Sequence, residues 1–366
     1  MTQRTTTTAT LLAALLLLTL GCERRPLEEL FFETAKFHIK IDWSKTKLDP
    51  DTDPDNLYRA SAWLFATDGT APFAGGKSYK EYRLDSPRGG EIDVPVGRYS
   101  VLVFNNSTSE FSSNVSFRNT ADFGSFEYFA NAATTTRSTT TPDEDNYILE
   151  PDKLGAWSST TLRVTPAMVI LSQGLEYPIT DSERVEALRD LKQLENVQPE
   201  LLTPALRLTV YVKNIASATV AEGKFIGMAH SVQLADTTRS ASGASHLFHL
   251  ANRIYDTKAP KSGTIQAQFN TLGMLDRKDA RYYVELRFTL TEELDGSKLY
   301  PAPPAPPFRF DITDQMQKFR YHHEIEIFLG FKPDENIELP DLHVSGGLEP
   351  DIGDWGEEEE IPIPSN

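Results

Sequence analysis

Cysteine is almost absent. Cys22 is the only one in 366 residues, so no intramolecular disulfide can form. Basic residues are outnumbered too: 36 Lys and Arg stand against 53 Asp and Glu, a net charge of −17 that argues against a nucleic-acid or anionic-membrane surface as partner. Beyond Lys332 neither Lys nor Arg occurs, while Asp334, Glu335, Glu338, Asp341, Glu349, Asp351, Asp354 and Glu357 to Glu360 concentrate acid at the C-terminal end. No apolar run approaches the roughly 20 residues a membrane-spanning helix needs. No self-similar period of about 20 to 50 residues is visible, which excludes a solenoid. Helical periodicity is scarce, whereas 23 prolines and many Thr, Ser and aromatic residues favour short strands joined by turns. The expected class is mainly β, and the length suits two cores better than one.

What is present begins at the N-terminus. Arg4 and the free amine precede an apolar stretch from Ala9 to Leu20, broken only by Thr10 and Thr19, and small Gly21 stands before Cys22. These are the parts of a cleaved secretory signal. A lone thiol at the signal boundary resembles the lipobox of bacterial lipoproteins, whose cysteine is acylated and becomes the new N-terminus. Thr19 occupies the position where leucine is usual. The resemblance implies a signal peptide over 1–21, lipidation at Cys22 and a polar, proline-containing tether over 22–30. Acyl chains contribute about 0.8 kcal/mol per buried methylene, enough for a multiply acylated cysteine to hold the chain on a membrane.

Strand patterns follow. Phe37, Ile39, Ile41 and Trp43 alternate with His38, Lys40 and Asp42, as in a strand with one buried face. Further strands are expected over Leu57 to Ala66 and Tyr79 to Leu84, and on either side of the tight turn Pro95-Val96-Gly97. Phe111 to Phe117 and Phe126 to Phe129 are shorter candidates, Thr134 to Thr141 reads as an edge or a loop, and Thr161 to Ser172, with its run MVIL, closes the first half. Asp181 to Glu195 carries the one helical pattern, with Val185, Leu188, Leu191 and Leu194 on one face and Ser182 as N-cap. Prolines 199 and 204 follow it. In the second half Leu206, Leu208, Val210 and Val212 alternate, Gly227 suggests a bulge, Asp295-Gly296 signals a hairpin, and Glu324 to Leu329 is the last strand.

The chemistry-bearing patterns fail on inspection. Ala71 to Ser78, APFAGGKS, lacks the first glycine of a phosphate loop and precedes a strand rather than a helix. Asp49, Asp51, Asp53 and Asp55 recur like calcium ligands but lack the sixth-position glycine and the twelfth-position glutamate. His246 and His249 point to opposite faces of a strand, and the pair His322 and His323 has no second half, so no zinc site is assigned. There is no G-x-S-x-G elbow, and a lipidated cysteine is no nucleophile. No catalytic, metal or cofactor-binding residue is therefore assigned, no cofactor is expected, and no small-molecule substrate is inferred. Trp43, Trp63, Trp157 and Trp355 are read as core in preference to a glycan platform. Asn106-Ser107-Thr108 is a sequon by spelling only.

The ordered set of the lipobox with CERRPLEE, FHIKIDWS, PVGRYSVLVFN, IGMAHSVQLAD, GTIQAQFNTLG, FRFDITDQM and ELPDLHVSGGLEPDIGDWGEE resembles the fimbrillin-like lipoproteins of the Bacteroidales, in the branch of FimB-type fimbrial anchor subunits. Asp236-Thr237-Thr238 resembles that family's O-glycosylation triplet. The resemblance implies two tandem transthyretin-like antiparallel β-sandwiches, at 31–178 and 200–345, joined by a short helix and linker at 179–199 and followed by an acidic tail at 346–366. It implies no enzyme, attachment to the outer membrane through acylated Cys22, and fimbrial subunits as partners through exchanged β-strands. Cutting at Arg24 or Arg25 would release the chain without opening a groove, which favours an anchor or accessory subunit over a stalk pilin. The alternative is a surface glycan-binding lipoprotein of a nutrient-uptake system.

Overall fold

Alternate burial runs through the first strand. In β1 (Thr34–Lys40) Ala35, Phe37 and Ile39 have no exposure, and Ile41 and Trp43 carry the row onward. The computed structural model describes residues 34–51, 57, 59–133, 147–294, 298–301, 307–319 and 322–341. The signal peptide, Cys22, the tether, Asp53, Asp55, the Thr134 to Thr141 run, the Asp295-Gly296 turn and the tail with Trp355 lie outside the described residues.

β1 pairs antiparallel with β4 (Gly89–Pro95), Phe37 facing Ile92. A five-stranded sheet beside them runs in the order β10 (Glu200–Leu201), β9 (Gly155–Val164), β5 (Gly97–Asn105), β2 (Ala60–Ala66), β3 (Tyr79–Leu84), all antiparallel. Between β4 and β5 the expected turn forms a closed corner. Tyr99 is fully buried and its hydroxyl donates to the Pro95 carbonyl at 2.9 Å, and a Cβ at Gly97 would stand 3.0 Å from that hydroxyl.

The five-stranded sheet is a middle layer, and its strand β2 is buried on both faces. Ala60, Ala62 and Leu64 of β2, with Tyr99, Val101 and Val103 of β5, pack toward β1 and β4. Trp63, Phe65, Leu102 and Phe104 pack the other way, against Phe126 and Tyr128. That second face is covered by β6 (Val115–Arg118), β7 (Glu127–Ala130) and β13 (Ser231–Gln233). Burying a large apolar side chain contributes about 1.5–3 kcal/mol, so a sheet covered on both faces anchors both layers.

Two further sheets face each other in the second half. One runs β15 (Ala251–Asp256), β16 (Ala259–Asn270), β11 (Ala205–Val212), β20 (Glu324–Leu329), with β20 parallel to β11. The other runs β18 (Lys298–Pro301), β17 (Tyr283–Leu294), β12 (Ala218–Ala229), β14 (Gly243–His249), β8 (Tyr147–Ile148), and β19 (Phe308–Asp311) also pairs with β17. Leu206, Leu208, Val210 and Val212 of β11 all point into the core, as their alternation predicts, against Phe225 and Phe288. Gly227 makes the expected bulge in β12, with φ +97° and a register shift between Ile226 and Met228. The two halves interlock: β8 leaves the first half to join β14, and β13 leaves the second to join β7.

Helices depart from expectation twice. The run MVIL lies in α1 (Pro166–Gln173), a helix rather than a strand, because Pro166 starts it and Gly174, in the left-handed region at φ +65°, closes it. α1 shields the outer edge of β1: Ser172 Oγ accepts from Lys36 N–H and Gln173 Nε2 donates to Thr34 O, each at 3.0 Å. The second helix, α2 (Asp181–Asp190), is capped by Thr180, not Ser182, through a reciprocal box with Glu183. It ends four residues before Leu194, so Leu194 and Val197 reach the core from the segment beyond it, where they hydrogen-bond the backbone of Lys40 and Asp42. Val185 and Leu188, expected inward, stand 68% and 49% exposed, and Ala187 is the buried residue of the helix.

Candidate functional site

A cleft of about 590 Å³ opens where β10 meets the second half. Lys45 reaches its rim from the turn after β1, and Glu200 and Leu201 of β10 form one wall. The opposite wall comes from the loop after β13, the segment after β16, Phe319 just past α3 (Thr313–Lys318), His322 and His323 before β20, and Ile325 at the start of β20. Beside the cleft Lys47 Nζ pairs with Glu324 at 2.7 Å, and that contact holds the Glu324 carboxyl below its usual range.

The loop after β13 is tightly wound. Asp236 Oδ1 accepts from Thr238 N–H at 2.9 Å, and Gln233 N–H donates to Thr238 O at 2.8 Å. Thr237 between them has φ +63°, a left-handed conformation that a β-branched residue rarely adopts and that costs on the order of 1–3 kcal/mol. The next turn of chain places Arg239. Its Nε donates to Leu272 O at 2.7 Å, and the guanidinium lies against Gly273, where a Cβ would come within 2.8 Å of Nε. Among the described residues no carboxylate lies within ion-pair distance of Arg239 and no acceptor meets its Nη groups. Burial pushes the guanidinium below its usual range, and the nearby charge of Asp276 partly offsets that.

A second concavity of about 550 Å³ lies across β14. Here the rings of His246 and Phe248 both stack on Phe269, at 4.5 and 5.0 Å. Burial lowers the His246 pKa to about 4, against a hydrogen bond to the Ile148 backbone, and its Nδ1 is buried without a partner. Burial likewise raises the Glu150 carboxyl, although Asn270 N–H donates to it at 2.8 Å.

Two sheet edges form the third feature. On β15, Ile254 and Tyr255 are exposed, and beside β20 so are Phe328 and Phe331, the latter 5.9 Å from the Tyr211 ring. Gln315 of α3 covers part of the β20 edge as a neighbouring strand would: its Nε2 donates to Phe328 O at 3.0 Å and its Oε1 accepts from Phe328 N–H at 3.1 Å.

The residues singled out in the sequence fall as follows. Cys22 lies outside the described residues. Asp49 accepts from Asp51 N–H, and Asp51 pairs with Arg88 at 2.8 Å, so these two are held in a turn and an ion pair. APFAGGKS forms a hairpin turn, with Phe73 bridged to Lys77 and β3 following. His246 is buried and His249 exposed, on opposite faces of β14. His322 and His323 line the 590 Å³ cleft. Trp43 and Trp63 are core, Trp43 donating to Pro87 O at 2.7 Å, and Trp157 is partly buried. Arg239 and Gly273 carry no sequence signal, since 33 residues separate them and only the fold brings one against the other.

Residues 21–249 match the family described as Domain of unknown function (DUF5119). No curated protein matches the chain. Among solved structures, a candidate adhesin from Bacteroides ovatus ATCC 8483 is 15% identical, with 87% of this chain and 97% of that chain covered and a TM-score of 0.55. A second candidate adhesin from Bacteroides ovatus is 9% identical, with 81% and 87% covered and a TM-score of 0.44. The fimbrial anchor protein Mfa2 from Porphyromonas gingivalis is 12% identical, with 69% and 77% covered and a TM-score of 0.35. The first likeness establishes a shared fold.

Proposed function

The chain belongs to the DUF5119 family, and from that membership and its fold we propose that it is a non-enzymatic cell-surface protein of adhesion, a fimbrial anchor or accessory subunit held in the outer membrane by acylated Cys22. The observation that carries this reading is the fold shared with nearly the whole of a Bacteroides ovatus candidate adhesin. In this reading two tandem sandwiches, at 31–178 and 200–345, are joined through 179–199, and fimbrial subunits are the partners.

The sheet edges support contact through strands. An edge presents unpaired backbone groups, and an extended strand from a neighbour gains a hydrogen-bond ladder there. β15 and β20 add exposed apolar side chains beside such edges. The burial of β1 supports an anchor over a stalk subunit. Arg24 and Arg25 precede β1, so cutting at either leaves Phe37 and Ile39 in the core and opens no groove.

The test is affinity purification of the chain from its native cells after mild cross-linking, with the bound proteins identified by mass spectrometry. Fimbrial subunits should co-purify, and their cross-links should map to β15 or β20. Recovery of the chain without any fimbrial subunit, in cells that make fimbriae, would overturn the reading.

A further inference from the structure

We propose that the cleft between β10 and the second half binds the carboxylated sugar of an acidic glycan, a uronic or sialic acid residue, with the sugar carboxylate on Arg239. The cleft volume, about 590 Å³, falls within the roughly 300–1,000 Å³ of small-molecule sites. A largely buried guanidinium with no carboxylate within ion-pair distance is costly to maintain, and the charge of Asp276 offsets that only in part. Leu272 O fixes Nε, Gly273 lacks the Cβ that would crowd the guanidinium, and Arg239 lines the cleft with no acceptor on its Nη groups among the described residues. That fork matches a carboxylate through two parallel hydrogen bonds. Lys45 adds a second positive charge at the rim.

The rest of the lining selects a sugar. Asp236 is committed to Thr238 N–H, but Glu200 and Asp276 remain as acceptors in the cleft. A sulfate brings acceptors only and offers these carboxylates no hydrogen to accept. A carboxylated sugar brings one anionic group for Arg239 and several hydroxyl donors for the two carboxylates, and its C–H face suits Leu201, Met274 and Phe319. A peptide C-terminus supplies the carboxylate with fewer donors, and a neutral sugar leaves the guanidinium unmet.

Isothermal titration of the purified full chain with glucuronate and with N-acetylneuraminate tests this, with galactose, sulfate and a short peptide carrying a free C-terminus as comparisons. Binding of at least one acidic sugar is expected, with little heat from galactose or sulfate. Arg239→Gln should weaken it roughly ten- to a hundredfold, the loss expected for hydrogen bonds to a charged group. Lys45→Gln, at an exposed position that does not threaten folding, should weaken it a few-fold and flatten its salt dependence. Equal binding of galactose, preference for the peptide, or acidic-sugar affinity unchanged in both variants would overturn the proposal, as would no binding of either acidic sugar by the wild-type chain. Strand-mediated assembly stands or falls separately, because neither Arg239 nor Lys45 lies on β15 or β20.

Discussion

Adjacent residues of β2 should report on different layers of the molecule. Trp63 and Leu64 are neighbours in one strand, yet Trp63 packs 5.0 Å edge-to-face against Phe126 and stacks near Tyr79, while Leu64 points into the core with Phe37, Ile39 and Met168. Truncating either to alanine leaves a cavity that cannot fully collapse. The expected losses are about 2–5 kcal/mol for Leu64→Ala and about 3–5 kcal/mol for Trp63→Ala. Native-state hydrogen exchange read by mass spectrometry locates the loss, because local opening carries its own free energy. Leu64→Ala should release the amides of β1 and β4 most, and Trp63→Ala those of β6, β7 and β13. If Leu64→Ala loosened β6, β7 and β13 as much as β1 and β4, or if Trp63→Ala acted only on β1 and β4, the middle-layer arrangement would be wrong.

Tyr99→Phe removes a buried hydroxyl and leaves the Pro95 carbonyl unmet, and thermal or denaturant unfolding should show a loss of about 1–3 kcal/mol; no change would mean that the corner bond is idle. Gln315→Ala uncovers the β20 edge beside exposed Phe328, so concentration-dependent self-association in sedimentation velocity should rise, and an unchanged monomer at all concentrations would refute a covering role. His246 is a base whose folded pKa, about 4, lies below its unfolded value of about 6.5, so the unfolded chain binds the proton first as pH falls. Its contribution is complete above pH 6.5 and declines between 6.5 and 4, reaching a loss of about 2 kcal/mol at pH 5. His246→Phe keeps a ring against Phe269 and should remove that part of the acid sensitivity, which denaturant titrations at pH 7 and pH 5 would measure; equal slopes in the two proteins would contradict it.

Strands with one wet face are legible in the sequence, because solvent enforces a polar residue at every second place. β1, β11 and β20 are of that kind. β2 is not, since a sheet covered on both sides needs no alternation, and ASAWLFA carries no mark of which residues face which layer. MVIL is apolar enough for either a strand or a helix, and Pro166 and Gly174 at its borders decide it. α2 misleads for another reason: its leucine spacing continues past Asp190, but the chain turns there, so Leu194 is buried without Val185 being buried with it. The cleft is the least legible part. Its residues come from well-separated segments of the sequence, and Arg239 acquires meaning only from Leu272 and Gly273 beneath it.

The anchor reading turns on Cys22, and metabolic labelling with radioactive palmitate tests it most directly. The wild-type chain should carry label and fractionate with the outer membrane, whereas Cys22→Ala should carry none and leave that fraction. Label that persists in Cys22→Ala, or its absence from the wild-type chain, would contradict lipid attachment at this residue and the role built on it.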